Sequence, residues 1–148
     1  MGVANRMVVA AVALVGVFVA TYLLLYNLGL VGSIVCGIGG GCETVQASEY
    51  AYFLGIPVAA WGLGGYLAIL GVAMLGTQPA LAEERWVGMT LFGLATVAFL
   101  FSLYLSALEQ WVIGAWCRWC VVSAILATLI FVFSLPEIRR FKGDRAAG

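Results

Sequence analysis

A chain of 148 residues that is 64% hydrophobic and 9% charged, with a mean hydropathy of +1.10, excludes an ordinary soluble surface and reads as a membrane protein. Its formal charge of zero leaves no basic footprint for nucleic acid, and with no histidine it lacks the commonest general base and metal ligand.

Crossing a hydrocarbon core of about 30 Å takes roughly 20 apolar residues at about 1.5 Å rise each. Four stretches reach that length, near 7–30, 55–76, 86–108 and 113–135, and they predict an all-α integral membrane fold, a four-transmembrane-helix bundle in one domain. None has an Asp, Lys or Glu in its interior, and Arg118 lies in the first turns of the last. The first span is too long for a removed signal peptide and lacks its small-residue cleavage site, so a retained helix is expected.

Residues 31–54 follow as a long, glycine-rich loop, expected to act as a lid. Within it, Glu43 to Phe53 predicts a short interfacial helix with Thr44 or Ser48 as N-cap. Gly55, Ile56 and Pro57 open the second span, proline being tolerated in a first turn. Ala60, Gly64 and Ala68 repeat every four residues, a spacing that lets helices approach closely in lipid. A turn of a few residues around Glu109 and Gln110 joins the third and fourth spans. Trp86, Trp111, Trp116 and Trp119, near span ends, are expected as interfacial anchors. Residues 136–148 are a tail too short to form a domain.

With the N-terminus cytoplasmic, Arg6, Arg85, Arg139, Arg140, Lys142 and Arg145 fall inside and only Arg118 outside, six of seven as the positive-inside rule asks. The same topology puts both termini in the cytoplasm and all cysteines in the compartment where disulfides persist.

The cysteines form two pairs, Cys36/Cys42 in the loop and Cys117/Cys120 at the outer end of the fourth span. Cysteines three apart on a helix share a face, and a first-turn position favours thiolate. Zinc uses the same spacing, but here the other pair is spaced CX5C, histidine is absent, and the motif enters lipid. Four glycines among the five residues between Cys36 and Cys42 make a hinge that can carry a thiol, although a plain loop disulfide is the blander reading. Mobile sulfurs near a fixed pair compose an exchange relay. With no nucleotide-binding fingerprint, a lipid-soluble quinone is the economical electron acceptor.

The run Cys42 to Ser48, then Gly55-Ile56-Pro57, Gly62-Leu63-Gly64-Gly65-Tyr66 and Trp116-Cys117-Arg118-Trp119-Cys120, resembles the vitamin K epoxide reductase (VKOR) family over nearly the whole chain. The resemblance implies a four-helix bundle around a quinone, with the loop cysteines as shuttle and the CxxC as active-site pair. By it, Cys36 meets a partner protein's thiol, Cys42 exchanges with Cys117, Cys120 faces the quinone ring, and Ser48 supports transfer between pairs. Val58, Ala124 and Trp61 are the further quinone contacts it suggests.

Where some members, the animal enzymes among them, carry an Asn in the second helix and a Tyr one turn after the last cysteine, this chain has Val58 and Ala124. Prokaryotic members are often apolar there, which points to a bacterial or archaeal homologue using a ubiquinone- or menaquinone-type acceptor. The thioredoxin-like domain fused to many homologues is expected to be missing, so the implied partner is a separate thioredoxin-fold thiol oxidant. Three rival readings stand beside this one. The DsbB type of quinone-linked oxidase carries its CxxC in the first outer loop, whereas here it opens the fourth helix. The other two are a disulfide-stapled membrane scaffold and a reductase running toward quinone or its epoxide.

Overall fold

The computed structural model describes residues 2–30, 49, 52–82, 84–114 and 118–147, with side chains from 4 to 139. Four of the described helices are long and apolar enough to cross a membrane. They are α1 (Gly2–Asn27), α2 (Val58–Leu75), α3 (Arg85–Ala107) and α4 (Arg118–Ala147). Two short strands, β1 (Tyr52–Phe53) and β2 (Ile56–Pro57), precede α2 as an antiparallel hairpin, and a π-helix (Leu108–Ile113) continues α3.

α1 packs against α2 and α4, α4 against α3, and α2 more lightly against α3, the arrangement of an up-and-down bundle. In lipid no hydrophobic force drives helices together, so close van der Waals fit must. The seam reflects this: Ala13, Ala73 and Ala95 are fully buried, and Val9, Ile69, Leu91 and Ile130 fill the space between them. Large apolar side chains such as Phe18 and Val97 point outward, as a hydrocarbon solvent allows. Four hydroxyls within the helices close onto their own backbone, Thr21 to Val17, Thr96 to Phe92, Thr128 to Ala124 and Ser134 to Ile130, so these four present no bare polar group to lipid.

The span boundaries differ from the sequence reading in ways that matter. The second helix begins at Val58 because Gly55, Ile56 and Pro57 belong to the hairpin and its turn, with Pro57 as N-cap. Tyr52 and Phe53, assigned above to the end of an interfacial helix, are strand β1; 43–48 lie outside the described residues. Glu109 and Gln110 are not a turn: they lie in the π-helix, whose end is Gly114 in the left-handed region (φ 73°), its N–H donating to the Glu109 carbonyl at 3.0 Å. Ile113 closes that π-helix instead of opening the last span. Residues 136–147 are no tail but a continuation of α4 through Pro136.

The spacing-of-four stripe also faces the wrong way to be the seam. Gly64 and Ala68 are exposed, and a Cβ at Gly64 would meet nothing within 4 Å. The close approaches are elsewhere. A methyl at Gly16 of α1 would overlap the ring carbons of Tyr66, and one at Gly76 would stand 2.8 Å from Arg6 Cδ.

Arg6, counted above as a cytoplasmic charge beside the first span, is buried within α1. Its Nε and Nη2 donate to Glu137 Oε1 and Oε2, and Nη1 donates to the carbonyls of Gly76 and Ala82. One side chain thus ties α1, α4 and the α2–α3 connection at the end of the bundle remote from Cys120.

Candidate functional site

Cys120 sits in the first described turn of α4, half-buried, while its neighbour Arg118 is exposed. Around it α1 supplies the buried Val19 and Leu23 with Tyr22 and Tyr26 beside them, and α2 supplies Ala59. Ile113, the last residue of the π-helix, packs in the same cluster. Trp119, expected as an interfacial anchor, is instead half-buried against Tyr22, ring centroids 5.1 Å apart at 51°. Trp86 and Trp111 are exposed, as anchors are, and Trp116 lies outside the described residues.

Val58 and Ala124 are both half-buried and offer only carbon to their surroundings. Ala124 is one turn beyond Cys120 on the same helix, and Val58 adjoins Ala59 of the Cys120 cluster. Trp61 is further out. Its indole N–H donates to the Phe53 carbonyl at 3.0 Å, and its ring stands edge-on to Phe53, so it braces the hairpin. Tyr52 Oη donates to Asn27 Oδ1 at 3.0 Å and holds the hairpin to the end of α1. Cys36, Cys42, Ser48 and Cys117 lie outside the described residues.

The matching family model is that of the Vitamin K epoxide reductase family, which covers residues 7–135. The chain belongs to this family. The VKOR match runs from α1 into α4 and takes in both cysteine pairs. Among curated proteins, the chain is 31% identical over 118 residues to the Thiol-disulfide oxidoreductase LTO1 of Arabidopsis thaliana. That alignment covers 70% of this chain and 29% of the relative, so the chain spans under a third of that protein's length.

Two features of this VKOR bundle escaped the sequence reading. Glu109, assigned to a turn, is buried within the π-helix, an uncommon place for a carboxylate. Tyr66 of α2 reaches across the bundle: its hydroxyl donates to the Ser123 carbonyl at 2.8 Å and lies 2.8 Å from Ser123 Oγ. The glycine run ending in Tyr66 was visible as a family mark, but nothing in one sequence pairs that phenol with a serine 57 residues later.

Proposed function

We propose that this chain is a quinone-dependent thiol-disulfide oxidoreductase that reoxidises an extracytoplasmic thioredoxin-fold partner, electrons passing from Cys36/Cys42 to Cys117/Cys120 to quinone. The observation that carries the reading is Cys120 set in an apolar and aromatic cluster at one end of a VKOR-family bundle. The name of the Arabidopsis relative, a thiol-disulfide oxidoreductase, favours this direction over epoxide reduction.

The exchange steps need only sulfur. A partner thiolate attacks Cys36 of the loop disulfide, and the partner's second thiol releases itself as a disulfide. Cys42 then attacks Cys117, Cys36 closes the loop pair again, and the CxxC is left as a dithiol. A bound quinone supplies a two-electron, two-proton acceptor. The surroundings of Cys120 suit it, since Val19, Leu23 and Ala59 present carbon and Tyr22 and Trp119 add aromatic rings, with the apolar Val58 and Ala124 close by in the chain. Those side chains half-bury the sulfur, and the net change is a dithiol to a disulfide with a quinone to a quinol. Ser48 supports transfer between the pairs.

The orientation that goes with this reading has both termini cytoplasmic and the cysteine pairs outside. Support comes from the basic residues: Arg85 and Arg139 are exposed at the end of the bundle that also holds Arg6.

The test is direct. Purified protein in detergent, given a reduced thioredoxin-fold protein, should consume ubiquinone or menaquinone absorbance at a rate that needs both components. No consumption with either quinone and any such partner, or undiminished consumption in a Cys117→Ala/Cys120→Ala protein, overturns the reading.

A further inference from the structure

We propose that Tyr66, backed by Ser123, is the hydrogen-bond donor that this chain offers to a carbonyl oxygen of the quinone. The inference rests on the quinone reading above and adds to it the polar contact that Val58 and Ala124 do not provide.

Two kinds of hydroxyl bond stand out among the described helices. The hydroxyls of Thr21, Thr96, Thr128 and Ser134 bond their own helix four residues back and are spent there. Tyr66 and Ser123 instead bond across helices, from α2 to α4. Ser123 lies three residues after Cys120, so the phenol stands about one helical turn, roughly 4.5 Å along the axis, deeper in the bundle than the sulfur. Leu126 packs both against the cluster that holds Tyr66 and against the one that holds Cys120. Phenol and sulfur therefore border one continuous apolar region.

The ring is held firmly in place. It lies against the bare backbone of Gly16, where any side chain would overlap it, and the residue is only 5% exposed. A large aromatic seated on a glycine is fixed in position, which is what a donor aimed at a ligand needs.

Its hydroxyl is also inexpensive to redirect. The phenol donates to the Ser123 carbonyl, an oxygen that as part of α4 already faces the helix's own N–H four residues on, and it accepts from Ser123 Oγ. Turning toward a ligand oxygen keeps the phenol's donor satisfied and leaves that carbonyl its helix bond. The Ser123 hydroxyl can follow the phenol or close back on its own helix, as the other hydroxyls do. Tyr66 adds no proton to the balance. Both protons of the quinol come from the two thiols of Cys117 and Cys120, and the phenol holds a hydrogen bond at the oxygen on which negative charge builds.

The experiment compares wild type with Tyr66→Phe, which keeps the ring and its seat on Gly16, and with Ser123→Ala. Decylubiquinone and menadione are titrated at equilibrium against tryptophan fluorescence, for which Trp119 in the Cys120 cluster is a built-in reporter. Steady-state KM and kcat and thermal unfolding are measured in parallel. Tyr66→Phe should weaken quinone binding and raise KM by about tenfold, the worth of one hydrogen bond, while partner-to-loop exchange by thiol trapping stays at the wild-type rate. Ser123→Ala should move binding the same way by a smaller factor, and carries the test alone where Tyr66→Phe fails to fold. Wild-type binding of quinone with either variant unchanged, only its melting temperature lowered, overturns the inference and leaves Tyr66 a tie between helices. A wild-type protein that binds and reduces no quinone overturns the reading beneath it as well.

Discussion

Arg6 and Glu137, 131 residues apart, meet as a two-pronged ion pair with Nε to Oε1 at 2.9 Å and Nη2 to Oε2 at 3.0 Å. Both are almost wholly buried, at 2% and 3% exposure. The planar fork of arginine matches a carboxylate in this way, and its remaining nitrogen takes two backbone carbonyls. Taking one partner away leaves the other buried and uncompensated. Arg6→Ala or Glu137→Gln should therefore each cost about 3–5 kcal/mol, whereas Arg6→Met with Glu137→Leu should cost less than either. Unfolding in detergent measures this, and a double variant worse than both singles would show that the pair contributes net attraction instead of mutual compensation.

The Gly16 and Tyr66 contact makes a second, independent expectation. Gly16→Ala places a methyl on the ring and should destabilise by about 1–3 kcal/mol through overpacking. Combined with Tyr66→Ala it should add little further, because the atom it strikes is gone. Additive losses in unfolding experiments would mean that the methyl strains something besides the ring.

The order of the sulfurs can be trapped. Cys120→Ala should abolish quinone reduction while the loop pair still exchanges with a partner, and Cys42→Ser, which leaves no loop disulfide for a reduced partner to attack, should form a mixed disulfide between Cys36 and the oxidised partner on a non-reducing gel. Quinone reduction surviving in Cys120→Ala would remove the role assigned to it. Ser48→Ala should slow transfer between the pairs severalfold with folding unchanged; an unaltered rate would reduce Ser48 to a helix cap.

Orientation has its own readout. In intact cells a membrane-impermeant thiol reagent should modify the reduced loop cysteines, and a cysteine introduced at Ala80 of the opposite connection should react only after permeabilisation. The reverse pattern would invert the assigned topology.

How much of this was legible in sequence follows from the solvent. Lipid demands about 20 apolar residues per crossing, so the four spans could be counted. Their ends could not, because polarity at Glu109 and Gln110 resembles a turn and Pro136 resembles a stop. The backbone runs on as a π-helix in one case and as α4 in the other. The stripe Ala60, Gly64, Ala68 misled for a related reason: small residues permit close approach but do not say which face is approached, and here Tyr66, Ile69 and Ala73 take the seam. At the site, spacing revealed the CxxC, and family likeness alone ordered the sulfurs. The pairing of Tyr66 with Ser123 and of Arg6 with Glu137 is tertiary, and no periodicity encodes it.

The hairpin before α2 supplies the last expectation. Its two-residue turn, Leu54 and Gly55, has φ of 57° and 80°, the left-handed pair that a tight hairpin requires. A Cβ at Gly55 would meet nothing within 4 Å, so any cost of replacing it is backbone strain and not crowding. Gly55→Ala should then lose about 1–2 kcal/mol, and Gly55→Asn distinctly less, since asparagine tolerates this region. Equal losses in the two variants would mean that an unseen contact, not φ, sets the preference. The consequence reaches function through position. The turn fixes Tyr52 on Asn27 and Phe53 on Trp61, and these contacts anchor the end of the loop that carries Cys36 and Cys42. Gly55→Ala should accordingly slow exchange between loop pair and CxxC more than it slows quinone reduction from a chemically reduced CxxC. Thiol trapping and quinone absorbance, read on the same sample, separate the two.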